Sequence, residues 1–387
     1  MRDDSRERVR AWKIRDMAAI ATACSLWLFL GSFALDQARH HDFLCLYTGG
    51  WMVVHGRTAD LYDPAAQLAF QREVIHSTSG LMPYIRPPFH ALLMAPLGLL
   101  PLNTAFAVWL AGQIALLVGC WAWGSRRFGP GAALVGSVFM PTALGIAHGQ
   151  DCILALALLI ASYSLAEGEK PLAAGALLGG MLMKFHLVLL WPVGLAIRRQ
   201  WKMLAGFVAV GTGLGAVSLA MVGLSGVRSY LALLQNRDLE NLSPSPEYMI
   251  SLTGLFANLE VSSAAVKLLA TAAVIAVWAW MIRRTSLASL YTMTSAAGLM
   301  LVGHVYGYDA SLLLLGIWLT LFLPAERLER LGAFLLATPF AFCFSLAGRP
   351  WSGLSSASLV AFLAALAAGA AAHGRDTPPE EARAVPL

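Results

Sequence analysis

Residues Asp36 to Pro64 read DQARHHDFLCLYTGGWMVVHGRTADLYDP, directly after a long apolar segment, Met17 to Leu35. The stretch is polar, aromatic and charged, whereas most of the chain beyond Pro64 is hydrocarbon. Asp42 lies near its middle, beside His40, His41 and Phe43. An ionisable cluster held at the end of an apolar span marks a site at a membrane face, because charge inside lipid is costly and seldom kept without a use.

The rest of the 387-residue chain fits that reading. Hydrophobic residues make up 58% and charged residues only 13%, against about 25% charged in soluble domains. Mean hydropathy is +0.66. Apolar runs recur from end to end, and lipid-exposed backbone must satisfy its own hydrogen bonds. The expectation is an all-α, polytopic transmembrane protein of ten to twelve membrane segments, at about 20 residues per span. The net charge of +5 comes from basic residues between apolar runs, which set orientation and are no sign of nucleic-acid binding. Cys24, Cys45, Cys120, Cys152 and Cys343 show neither a CxxC pair nor a zinc spacing. Met17–Leu35 lacks a small-x-small cleavage site before Asp36 and reads as a retained helix.

Residues 1–16 carry Arg2, Arg6, Arg8, Arg10, Lys13 and Arg15, which places this segment in the cytoplasm. The first helix then delivers an outer loop, residues 36–90. Alternating spans end inward at Arg126-Arg127, Lys170, Arg198-Arg199, Arg283-Arg284, and Arg327 with Arg330. The assigned cytoplasmic segments hold 18 of the 27 Lys and Arg, the skew this orientation requires. A second large outer loop spans residues 224–262, after a run ending at Gly223. Residues 17–372 form the membrane domain, and 373–387 a polar cytoplasmic tail expected to be disordered. The runs on either side of Lys184 are short for a bilayer, which predicts that Lys184 and His186 stop inside a water-filled cavity.

One face thereby collects Asp42, Arg57, Asp63, Tyr84, Arg86, His90, His148, Gln150, Asp151, Lys184, His186, Asn241, His304, Tyr308 and Asp309. A carboxylate can take a hydroxyl proton, and Arg or Lys can hold a phosphate as charge builds on it. Each has a plainer reading. Asp42 could solvate a helix end, Lys184 could snorkel to the interface, and Arg86 could pair with Asp63 or Glu73 to fix a loop. Neighbouring side chains on extended backbone point apart and no helical His-x3-His occurs, so His40 and His41 predict no metal. Gly175-x-x-x-Gly179 reads as helix packing.

The sequence also resembles glycosyltransferase family 87, of the GT-C class. The pieces are Asp42-Phe43 with Tyr47 and Gly49-Gly50, then Leu61-Tyr62-Asp63-Pro64. Next comes Tyr84-x-x-Pro87-Pro88-Phe89, with Ala95-Pro96-Leu97 and Leu100-Pro101. Gly149-Gln150, Lys184 with His186, and Tyr308-Asp309 complete the set. The resemblance covers about residues 36–325. It implies a multi-pass cell (inner) membrane enzyme with a GT-C fold, moving a sugar, typically mannose, from a polyprenyl-phosphate donor to a glycolipid or glycan acceptor on the extracytoplasmic face. Asp42 maps onto the family's acid as general base. Lys184 and His304 map onto its cations, and Arg86 joins them at the donor phosphate. His41, Tyr62, Tyr84, Gln150, His186, Tyr308 and Asp309 are expected around the sugars. No cofactor, nucleotide or metal is expected. The chain departs from the family's pattern at Phe185, often proline there, and at Asp151, often asparagine. A transporter or lipid flippase would show repeat-related halves and broken helices at matching positions, and no such symmetry is visible. A non-catalytic assembly factor would tolerate exchange of the outer-face ionisable residues.

Overall fold

A computed structural model describes residues 42–75, 80–235, 245–283 and 285–376, together with Ala23, Ser25–Trp27 and Gly31. His40, His41, Asn241, the N-terminal segment 1–16, most of the expected first helix and the tail beyond residue 376 lie outside them. Among the described residues every regular element is helical. Trp27 still marks where the first helix packs: its indole nitrogen donates to the Ser137 carbonyl at 3.0 Å, and its ring meets Trp121 edge-on.

The protein is an all-α, multi-pass membrane protein. Five helices are long and apolar enough to cross a bilayer, and up to seven if each bent pair counts as one span. The bent pairs are Pro130–Val138 with Met140–Ala147 and Arg327–Ala337 with Phe340–Leu346. Four shorter apolar helices stand beside them, Asp42–Val54, Cys152–Glu167, Leu287–Leu301 and Gly307–Phe322. Asp42–Val54 is a helix within the stretch expected as an outer loop, whereas the other three shorter helices fall in apolar runs counted among the expected ten to twelve segments.

Burial sorts the helices into layers. Leu287–Leu301 and Leu313–Phe322 are enclosed on nearly every side, around Trp191, Trp278, Trp318 and Tyr291. Trp201–Leu234 and Ala264–Ile282 are apolar yet mostly exposed, with Val208, Leu219, Leu268 and Leu269 facing outward. Helices hydrophobic all round and exposed are what a lipid environment stabilises.

Small residues set the close crossings. A Cβ on Gly175 would strike the Met203 carbonyl, and one on Gly206 would strike that of Leu172. The Gly175-x-x-x-Gly179 run is therefore a packing face, as its sequence suggested. Gly50 and Gly98 let Asp42–Val54 cross Pro88–Gly98 backbone to backbone.

Two stretches differ from the sequence reading. The helix expected to stop at Gly223 breaks there, with Gly223 at φ +64°, and then continues to Leu234. Residues 224–234 look like loop in sequence because Ser225, Arg228 and Ser229 dilute the apolar pattern. Ala65–Ile75 reads from sequence as a short surface helix after the Leu61–Pro64 turn; the helix observed, Pro64–Ile75, buries Gln67, Phe70 and Gln71. Its two glutamines bind the chain on its way to the site. Gln71 pairs with both backbone groups of Met82, and Gln67 accepts the Tyr84 N–H at 2.8 Å.

Candidate active site

One helix start converges with the segment before Pro88, the turn at residues 148–151, the helical break at Lys184 and the short helix Gly307–Leu312. Asp42 is the first residue of Asp42–Val54, a helix of 13 residues and roughly 20 Å, too short to cross a bilayer. The turn His148–Asp151 joins Met140–Ala147 to Cys152–Glu167. Its sharpness depends on Gly149, at φ +65°, where L side chains are disfavoured. A Cβ there would come within 2.9 Å of the Phe43 Cβ, and Trp109 donates to the Gly149 carbonyl at 2.9 Å. Phe43 in turn packs on Phe106 and Trp109. The residue beside Asp42 thus fixes the turn that faces Asp42.

Within this frame the polar groups form one connected chain. His148 Nδ1 lies 3.1 Å from Asp42 Oδ2, and Gln150, two residues along the same turn, helps lower that carboxyl. The Gln150 carbonyl oxygen accepts from Arg86 Nη2 at 2.9 Å. Arg86 Nη2 also donates to Asp151 Oδ1 at 2.9 Å. Lys184 Nζ reaches the same Asp151 oxygen at 3.3 Å and Asp309 Oδ1 at 2.6 Å. Asp309 is itself held by the Tyr306 N–H, which donates to Oδ2 at 3.1 Å.

Lys184 is only 1% exposed. It sits where the backbone leaves helical geometry (φ −115°, ψ 60°), between Pro171–Gly180 and Leu190–Ile197. A snorkelling lysine would reach outward; this one turns inward to two carboxylates and over the Tyr308 ring, 5.1 Å from its centroid. Arg86 pairs with Asp151 across the bundle, not with Asp63 or Glu73. Asp63 instead accepts the Ala65 N–H, and Arg57 pairs locally with Asp60. Neither joins the cluster.

Electrostatics follow from these contacts. Burial alone would raise the Asp151 carboxyl, but Arg86 and Lys184 overcome it and hold the group well below the usual carboxylate range. Burial also works against charge on Asp42, and His148 and Gln150 outweigh it, leaving that pKa lowered. His90 and His304 are both pushed below the ordinary imidazole range by burial. A neutral His304 offers one N–H rather than a charge.

The other expected residues line up around this chain. Tyr62 Oη donates to the Arg86 carbonyl at 2.8 Å, and its ring packs at a tilt against Tyr230. Tyr84 Oη donates to the Pro87 carbonyl at 3.1 Å and lies 3.3 Å from His90 Nδ1. Its ring fills the space left by Gly49, where a Cβ would overlap it. Both tyrosines therefore shape the segment that presents Arg86. Tyr308 packs against His148 and Tyr306, and His304 meets Tyr306 edge-on at 5.0 Å. His186 stands next to the cluster against Phe185, with no hydrogen bond recorded among the described residues. Among these residues no group of His, Cys, Asp and Glu has a metal-binding arrangement.

Three contributors had no assigned role in the sequence reading. His148 faces Asp42, His90 faces Asp151, and Asp151 touches both cations. Their shared signal was the His-Gly-Gln-Asp turn itself, polar residues massed between two apolar runs. Gln67 and Gln71 lie four apart on one face of a helix that also carries Arg72 and Glu73, so nothing in the sequence sets them apart as buried.

A model of glycosyltransferase family 87 matches residues 84–305, more than half of the chain. No curated protein and no solved structure matches the chain.

Proposed function

The chain belongs to glycosyltransferase family 87, and from that membership we propose the donor, the orientation and the roles of the site. The protein is a membrane glycosyltransferase. The proposed donor is a polyprenyl-phosphate sugar, with mannose as the sugar by family resemblance. The acceptor is a hydroxyl of a glycolipid or glycan on the extracytoplasmic face of the cell membrane. The observation that carries this reading is the cluster on and around one turn, where His148 meets Asp42 and Gln150 leads through Arg86 and Asp151 to Lys184 and Asp309. It puts a candidate base and two permanent cations in one site.

The proposed step is a single displacement. Asp42 takes the proton of the acceptor hydroxyl as that oxygen bonds to the anomeric carbon. The bond between that carbon and the phosphate oxygen breaks on the opposite face, and its electron pair leaves with the polyprenyl phosphate. Arg86 and Lys184 stabilise the charge that grows there, and His304 donates its N–H at the rim. Configuration at the anomeric carbon inverts. Gln150, His186 and Tyr308 are the proposed sugar contacts, while Tyr62, Tyr84 and Asp309 hold Arg86 and Lys184 in place.

The orientation rests on charge. Arg126-Arg127, Lys170 and Arg198-Arg199 cap helices whose far ends lead to the site, which favours a cytoplasmic basic face and an N-terminus on that side. The test is reconstitution in vesicles with a labelled polyprenyl-phosphate mannose. Transfer of label to a sugar acceptor, with inverted linkage, supports the proposal. Movement of intact donor across the bilayer without bond cleavage would make the protein a transporter instead.

A further inference from the structure

We propose that Asp151 is a positioning residue that yokes Arg86 and Lys184 into one phosphate clamp and limits how tightly that clamp holds phosphate. The inference rests on the donor reading above, and extends it to a residue outside the base and cation roles assigned there.

The geometry is asymmetric. One oxygen, Asp151 Oδ1, receives both cations, Arg86 at 2.9 Å and Lys184 at 3.3 Å. These cations come from distant parts of the chain, a loop before one helix and a break between two others. Without a shared acceptor nothing else recorded among the described residues joins them. The carboxylate is fully buried, so its field is little screened. Its other oxygen, Oδ2, faces His90 Nε2 at 3.2 Å, and neither atom has another partner among the described residues.

The clamp keeps capacity for a ligand. Arg86 spends only Nη2 on Gln150 and Asp151; no bond from Nε or Nη1 is recorded among the described residues. Lys184 holds Asp309 closely and Asp151 at the longer distance. An incoming phosphate oxygen can therefore take the free side of the Arg86 fork and replace Asp151 on Lys184, while Asp309 keeps the lysine in place. On departure of the polyprenyl phosphate, Asp151 recovers its contact and competes the product off. A carboxylate here tempers affinity; an amide would keep the Oδ1 acceptor but lose that competition.

The experiment compares Asp151→Asn and Asp151→Ala with wild type, all purified in lipid nanodiscs and checked by thermal melting. Binding is read with farnesyl phosphate, by tryptophan fluorescence, and turnover with the labelled donor. The expected result for Asp151→Asn is tighter binding, by at least about fivefold, because a neutralising charge beside the clamp is gone. Its turnover stays within about tenfold of wild type because the tether remains. Asp151→Ala, which loses the tether too, should drop turnover by about a hundredfold or more. Asp151→Asn alone suffices if the alanine variant fails to fold. Unchanged binding and turnover in Asp151→Asn would overturn the proposal, as would weaker binding with abolished turnover, which would show that the Asp151 charge supports the clamp rather than tempering it. Failure of wild-type protein to bind farnesyl phosphate would instead reject the donor reading.

Discussion

Replacing Lys184 by methionine separates a chemical role for this side chain from a neutralising one. Lys184 is buried and contacts Asp309 at 2.6 Å and Asp151 at 3.3 Å. Removing one partner of a buried ion pair costs about 3–5 kcal/mol, because the other charge is left without compensation. Asp151 retains Arg86, so most of that cost falls on Asp309. A buried donor aimed at developing charge is worth about 2.7–4 kcal/mol in the transition state, or 10²–10³ in kcat. Lys184→Met should therefore lower both the melting temperature and turnover. Adding Asp309→Asn removes the stranded charge while leaving an acceptor for the Tyr306 N–H. The double variant should regain most of the lost thermal stability and none of the lost turnover. Thermal melts in detergent and transfer from a labelled polyprenyl-phosphate donor read the two quantities separately. Return of wild-type transfer in the double variant would refute the reasoning, since Lys184 would then serve only to neutralise Asp309.

Gly149→Ala places a Cβ in the left-handed region and against Phe43; a loss of about 1–3 kcal/mol in stability is expected, with slower turnover because Gln150 and Asp151 ride on that turn. Chemical or thermal denaturation with parallel transfer assays checks it. Gln71→Leu strands the Met82 backbone groups and should cost about 1–3 kcal/mol, measured the same way, while loosening the segment that carries Arg86. The pH profile is set by Asp42. Its carboxyl is lowered in the folded protein, so the ionised base is present above the ordinary carboxylate range and lost only as pH falls through a value beneath it. The acid limb of kcat/KM should consequently fall below about pH 4. A limb between about 6 and 7 would point to a histidine as the base.

The membrane character and the site's rough composition were legible in the sequence because they depend on local pattern. Long apolar runs bounded by basic pairs gave the bundle, and Lys184 stood out as a charge between two short apolar runs. What the sequence withheld was pairing across the bundle. Arg86 had carboxylates nearby in sequence, Asp63 and Glu73, yet it meets Asp151, sixty-five residues away. Only the fold decides that contact, because it depends on the Gly49–Tyr84 and Gly149–Phe43 fits. Likewise Pro64–Ile75 reads as a surface helix by composition. Its glutamines are buried because the extended chain at Met82–Tyr84 needs hydrogen-bond partners that no sheet supplies. The helix past Gly223 is hidden in the sequence because a glycine followed by polar residues reads as a stop.

The central claim is that Asp42 removes the acceptor proton beside a phosphate clamp. Its most direct test is Asp42→Asn in nanodiscs, with donor binding and transfer measured on the same preparation. The predicted result is a fall in transfer of roughly 10³-fold or more, with an unchanged melting temperature and farnesyl phosphate binding within about twofold of wild type. Wild-type transfer by Asp42→Asn, with the same inverted product, would contradict it.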